Sequence, residues 1–266
     1  MKVGALQMAI EAGAVAKNRE RALDGIDRAA ARGVDLLVLP ELWNVGFFAF
    51  ETYEAAAEPL DGETLSTLRD AAAEGDMALL AGSIVEDLAQ SPGDTPAEEG
   101  LANASVLFDR DGTRLAVYRK QHLFGYESEE SRRLTPGETL GIATLGGYTV
   151  GITTCYDLRF PALYMDLLDA GVDLLLVPSA WPYPRVEHWR LLTRARAVEN
   201  LSYLVAVNGV GDFGDAALIG RSAIIDPWGT ARASTGDEPD LLVSDIAPER
   251  VESVREEFPA LRDRRR

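Results

Sequence analysis

One cysteine, two histidines and three lysines are all that this chain of 266 residues holds of those types. The single cysteine, Cys155, forbids an internal disulfide and makes a reducing cytoplasm the expected setting. With His122 and His188 as the only imidazoles, no zinc spacing can be built, so neither a metal nor a cofactor is expected. The G-x-S-x-G elbow of many serine hydrolases is missing. No apolar run approaches the ~18 residues of a membrane helix. The N-terminal stretch is likewise interrupted, by Gln7 and Glu11, before it could serve as a signal peptide. Positive charge is scarce: 43 acids face 26 bases, a net charge of −17. Such a balance repels nucleic acid and anionic membranes, leaving a small molecule as the expected partner. The acids are dispersed along the chain. The lysine-poor, acidic pattern is similar to that of proteins from salt-loving organisms, or follows from arginine-rich, high-GC coding.

What is present is an alternation of helices and strands. Lys2–Met8 is a strand, and Lys17–Arg32 a helix with Leu23, Ile26 and Ala30 on one face. "VDLLVL" from Val34 to Leu39 is the continuous apolar run of a strand buried on both faces. A helix near Gly62–Glu74 and a strand at Met77–Val85 follow. Glu86–Gly100 has the composition of an exposed insertion, and "DRDG" at Asp109–Gly112 marks a hairpin. The second half continues with helix Pro161–Ala170, strand Val172–Val177, helix Val186–Asn200 and strand Leu201–Val207. This pattern predicts one layered α/β domain over residues 1–266. Its core would span about 2–246, with a C-terminal helix and a basic tail over 247–266, the tail disordered or reaching for a partner. One phrase is written twice. "GVDLLVLPELW" at Gly33–Trp43 and "GVDLLLVPSAW" at Gly171–Trp181 agree at seven of eleven positions. The echo predicts two related helix–strand units. The first copy puts Glu41 after its proline, where the second puts Ser179.

In α/β sheets, sites gather at the carboxyl ends of strands. Three strands here end in chemically competent residues: Glu41 after "VDLLVLP", Lys120 after "TRLAVYR" and Cys155 after "YTVGITT". Singly, each has a structural explanation: a helix cap, a solvated turn lysine, a small buried thiol. Together they form a base, a cation and a nucleophile. "GVGDFG" at Gly209–Gly214 matches the dinucleotide fingerprint but is followed by a strand rather than a helix, and is taken as a loop.

The segments "LPELW", "YRKQHLF" and "TTCYDLRFP" resemble the signatures of the nitrilase, or carbon–nitrogen hydrolase, superfamily. "ESRRLTPGE", "HWRLLTRARAVEN" and "GRSAIIDPWG" follow in the family's order. "CYDLRFP" and "ARAVEN" are similar to the amidase branch that includes the ω-amidases, and "PSAWPYPRVEHW" to bacterial 2-oxoglutaramate amidases. The resemblance implies a four-layer αββα sandwich and a catalytic set of Glu41, Lys120, a second glutamate and Cys155. Spacing to Gly137 favours Glu130 as the second glutamate, with Glu129 and Glu127 as alternatives. It also implies a homodimer.

The implied chemistry is hydrolysis of a small, carboxylate-bearing amide through a cysteine thioester. Glu41 is the expected base, with Lys120 and the Tyr156 N–H holding the oxyanion. Reference pKa values of Glu and Cys differ by about 4 units, roughly 5.7 kcal/mol against the first proton transfer, so the site must be dry. Lys120 is expected to lower the pKa of Cys155. Arg159 either clamps a substrate carboxylate or pairs with Asp157 or Glu199. Trp43, Trp181 and Tyr183 are expected to shape the acyl pocket, with Ser179–Trp181 beside the nucleophile. A papain-like reading would make His122 the base, whereas the resemblance gives it a supporting role. A nitrilase usually carries tryptophan and glutamate where Tyr156–Asp157 stand. An N-carbamoyl amidohydrolase often has an arginine at the position of Leu158. A catalytically silent binding protein would be free to lose Glu41, Lys120 or Cys155.

Overall fold

A computed structural model describes residues 1–125 and 128–265. Its strands are β1 (Lys2–Gln7), β2 (Leu36–Val38), β3 (Ala78–Asp87), β4 (Leu101–Phe108), β5 (Arg114–Arg119), β6 (Gly141–Leu145) and β7 (Tyr148–Ile152). They continue as β8 (Leu174–Ser179), β9 (Tyr203–Asn208), β10 (Val210–Asp212), β11 (Ala217–Ile219), β12 (Ala223–Ile225), β13 (Ala231–Ser234) and β14 (Asp240–Asp245). The helices are α1 (Val15–Ala31), α2 (Tyr53–Ala56), α3 (Glu63–Glu74), α4 (Glu129–Arg133), α5 (Pro161–Asp169), α6 (Val186–Asn200) and α7 (Pro248–Glu257).

Two six-stranded mixed sheets carry the fold, in the orders β14-β1-β2-β3-β4-β5 and β13-β12-β9-β8-β7-β6. Each has a parallel trio at its centre, β1-β2-β3 in one and β7-β8-β9 in the other. The echoed phrases supply the middle strand of each trio, β2 and β8. Because side chains alternate along a strand, a strand covered on both faces must be apolar at every position. Leu36 and Val38 therefore face the other sheet, where they meet Leu174 and Leu176 of β8. Leu37 and Leu39 pack with Ile26 of α1 and Leu68 of α3, while Leu175 and Val177 pack with Tyr164 of α5 and Trp189 of α6. The result is the αββα sandwich that the resemblance implies.

Local differences have physical causes. The buried face of α1 is Asn18, Ala22, Gly25, Ile26 and Ala29, turned slightly from the predicted Leu23–Ile26–Ala30 stripe. The polar segment from Glu86 is not exposed from its start: Glu86 and Leu88 are buried, because β3 extends through Asp87 to pair with Leu101. The glycine run at 209–214 forms the β10–β11 hairpin, with no helix opening there. In the tail, Arg264 is ion-paired to Asp169 at the end of α5. No helix among the described residues is long and apolar enough to cross a membrane.

Candidate active site

The ends of β2 and β8 meet at the centre of the molecule. The Glu41 N–H donates to the Ser179 carbonyl at 3.3 Å, and the Ala180 N–H donates to Glu41 Oε2 at 2.9 Å. A break in register between Leu80 and Ser83 of the neighbouring strand β3 makes room for this segment. There Gly82 has φ +62°, and a Cβ would lie 2.0 Å from the Pro40 carbonyl. Ser83 then fixes the turn: its N–H donates to Pro40 at 3.1 Å, and its hydroxyl accepts from the Leu42 N–H at 2.9 Å.

Lys120 follows β5, and its backbone N–H donates to the Asn103 carbonyl of β4 at 2.9 Å. Its ammonium donates to Glu41 Oε1 at 2.8 Å and to both oxygens of Glu130, at 2.8 and 3.1 Å. Glu41, Lys120 and Glu130 are all completely buried. Asn103 completes the group, its amide donating to Glu41 Oε1 at 2.9 Å and more weakly to Glu130 Oε1 at 3.4 Å. Glu130 also accepts from the Phe124 N–H, which ties the ion cluster to the cavity wall. Glu129, by contrast, is only half-buried and is ion-paired to Arg132 and Arg133. Glu127 lies outside the described residues.

Cys155 opens a short 3₁₀ turn, Cys155–Arg159, and sits at φ +47°, a conformation that costs an L-residue roughly 1–2 kcal/mol. Such outliers persist where surrounding contacts hold them. The holding contacts centre on Asp157, which is wholly buried. Its carboxylate accepts from the Thr154 N–H at 2.9 Å, the Tyr118 hydroxyl at 2.6 Å and the His122 N–H at 3.0 Å. The His122 ring adds a 2.7 Å contact through Nδ1 and stacks on Phe160 at 3.8 Å. Asp157 thus joins the segment around Lys120 to the turn that presents the thiol. Sequence reasoning missed both Asp157 in this role and Asn103, although the acid two residues beyond a candidate nucleophile was a usable signal.

The electrostatics follow from two carboxylates sharing one ammonium in a fully buried site. Burial alone would lower the pKa of Lys120, but attraction to Glu130 and Glu41 outweighs it and pushes the value up. Glu130 is raised, first by burial and then by Glu41, against the pull of Lys120. Burial also lifts the Cys155 thiol well above the ordinary range. Glu41 lifts it further, while Lys120 and the Ala180 N–H act the other way. The expected lowering by Lys120 is therefore real in sign but overridden by burial.

Cys155 faces a narrow cavity lined by Phe47, Phe48, Phe124, Tyr156, Arg159, Ala180, Trp181, Pro182 and Arg185. Arg159 pairs with neither Asp157 nor Glu199. It lies over the Tyr156 and Trp181 rings at 5.6 and 4.9 Å, with Nη2 at 3.2 Å from His188 Nδ1. Glu199 belongs to Arg196. Trp43 is not brought to the cavity: it is fully buried in the core, its indole donating to the Ala81 carbonyl at 2.8 Å. Ser179 is equally buried with its carbonyl turned to Glu41, and Tyr183 is exposed beside Asp237. Among the described residues no cluster of His, Cys, Asp and Glu could hold a metal ion.

A family model for the carbon–nitrogen hydrolases matches residues 2–256. The chain belongs to the carbon–nitrogen hydrolase family. Two relatives of this hydrolase, both named 2-oxoglutaramate amidase, come from Paenarthrobacter nicotinovorans and Bacillus subtilis. The first is 35% identical over 87% of this chain and 78% of its own, the second 32% over 99% and 97%. Among solved structures, a CN-hydrolase superfamily protein from Xanthomonas campestris, with an arsenic adduct in its active site, superimposes with a TM-score of 0.89. It is 29% identical over 100% of this chain and 97% of that one. A mutant of an amidase from Nesterenkonia, with acrylamide added at its active-site cysteine, gives a TM-score of 0.79 at 26% identity over 98% and 99%. This hydrolase is an enzyme of the amidase type, cleaving carbon–nitrogen bonds.

Proposed function

We propose that this hydrolase removes ammonia from a short amide that carries a carboxylate at its far end, 2-oxoglutaramate being the leading candidate. The observation that carries the reading is one continuous path. A wholly buried Glu41–Lys120–Glu130 cluster acts on the Cys155 thiol through Glu41 and Lys120, and the cavity above Cys155 holds an arginine, Arg159, with no acidic partner among the described residues. The two 2-oxoglutaramate amidases among its relatives support the choice of substrate.

In this reading Glu41 accepts the Cys155 proton as sulfur attacks the amide carbon. Because the thiol is held protonated, transfer and attack are coupled. Lys120 and the Tyr156 N–H receive the oxyanion. Collapse breaks the C–N bond, and Glu41 returns its proton to the departing ammonia. Glu41 then takes a proton from water, whose oxygen attacks the thioester carbonyl; the carboxylic acid leaves and the thiol is restored. Glu130 orients Lys120 and, through Phe124, the cavity wall. Tyr156, Trp181 and Arg159 bind the acyl chain, with Arg159 on its carboxylate.

The test is ammonia release from 2-oxoglutaramate, 2-oxosuccinamate, glutamine, aliphatic amides, carbamoyl amino acids and nitriles, with Cys155→Ala alongside. Turnover confined to carboxylated amides is expected. Turnover of carbamoyl compounds or nitriles alone would overturn the substrate. We also propose a homodimer formed through α6, whose Leu191 and Val198 are exposed apolar residues on one broad groove. Light scattering should give about twice the 28.8 kDa chain mass, and a monomer would remove this proposal.

A further inference from the structure

Arg159 is not the only cation over the nucleophile. Arg185, immediately before α6, lines the same cavity and is half-buried. Its guanidinium lies 5.7 Å over the Phe124 ring, and its side-chain hydrogen bond to the Tyr183 carbonyl is a long 3.5 Å. No carboxylate pairs with it among the described residues. The two arginines belong to one closed belt. Arg159 stacks over Tyr156, which meets Phe124 edge-on at 5.2 Å, and Phe124 carries Arg185. Trp181 closes the circuit, since Arg159 lies over its ring and its indole N–H donates to the Arg185 carbonyl at 3.0 Å.

Two guanidinium groups on one small cavity repel each other. In a chain with 43 acids the simplest relief would be an acid between them, yet the belt is built of aromatic rings instead. Aromatic faces hold the cations in place without consuming their N–H donors. What such an arrangement lacks is an anion, and the substrate is the group able to bring one.

We propose that Arg185 is a second specificity-determining residue, which closes with Arg159 on the far carboxylate of an amide whose carbonyl lies at Cys155. The proposal rests on reading Arg159 as the carboxylate contact. It adds that one arginine is insufficient, and that the cavity selects half-amides of dicarboxylic acids over neutral amides of equal length through both.

Succinamate and butyramide make the test, because they differ by a carboxylate in place of a methyl. Their binding is measured calorimetrically to the Cys155→Ala protein, alone and combined with Arg185→Gln, Arg185→Lys or Arg159→Gln, and thermal melts check the fold. Arg185→Gln should weaken succinamate by about tenfold or more and leave butyramide within about twofold. Arg185→Lys should fall between Arg185→Gln and the parent. Equal weakening of both ligands would mean a structural role and overturn the proposal, as would unchanged succinamate affinity. Loss of succinamate binding in Arg159→Gln but not in Arg185→Gln would sink the second arginine alone. Failure of the parent to prefer succinamate would sink both. Because the readout is binding, a protein that selects succinamate yet hydrolyses no amide would overturn the proposed reaction and leave the arginine pair standing.

Discussion

The Cys155 thiol is held protonated by burial first and by Glu41 second, so the two contributions can be separated by substitution. In Glu41→Gln the carboxylate charge is gone while burial remains. Alkylation of Cys155 by iodoacetamide should then rise at lower pH than in the parent protein. Amide turnover should fall by about 10²–10⁴-fold, the usual worth of a general base. A turnover loss with an unmoved alkylation profile would mean that the carboxylate does not act on the thiol. Glu130 behaves in the opposite sense to an ordinary ion-paired acid. Its pKa lies above the usual glutamate value, so the folded protein holds that proton more tightly than the unfolded chain. The contribution is present below the unfolded value and is lost as pH rises through the folded one. Glu130→Gln, which leaves Lys120 paired with Glu41, should therefore gain stability relative to the parent across that window. It should be no less stable at neutral pH, while kcat falls by about 10²-fold. Thermal melts of both proteins from pH 4 to 8 would check the sign.

At the level of elements, the site depends on how strand ends are steered. Gly82 makes room for Pro40 in a way no Cβ permits, so Gly82→Ala should shift the Glu41 segment and lower both Tm and kcat. A variant that melts with the parent and keeps full activity would contradict this. Asp157 collects donors from three directions without touching the reacting atoms, and Asp157→Ala would orphan them in a buried place. The expected cost is about 2–4 kcal/mol, measured by urea unfolding, together with slower turnover from a looser Cys155 turn. These elements also show what a sequence can disclose. The runs around Leu37 and Leu175 announced doubly covered strands because alternation demands apolar side chains at every position. Glu41, Lys120 and Cys155 were legible because each closes such a strand. Asn103 and the half-buried Arg185 were not, since their partners lie 62 residues away in Glu41 and 61 away in Phe124. Trp43 was misplaced for a related reason: an aromatic residue near a catalytic acid has the same text whether it faces the cavity or, as here, the core.

Across the whole molecule the dominant quantity is the charge of −17. Most of the ion pairs outside the site join exposed side chains, and such pairs contribute only about 0–1 kcal/mol. Screening therefore weakens self-repulsion more than it weakens attraction. Tm should rise by several degrees between about 10 mM and 0.5 M sodium chloride, and a fall would show that surface pairs outweigh repulsion. The junction of β2 with β8 has a consequence for how the enzyme comes into being. The base arrives with the first of the echoed phrases, but the amide that steadies its carboxylate arrives with the second, at Ala180. A chain emerging from the ribosome carries Glu41 and Lys120 long before it can use them, and even Cys155 precedes its last support. Reactivity is thus withheld from the nascent protein. Two separately expressed halves, each inert, should recover turnover only when mixed.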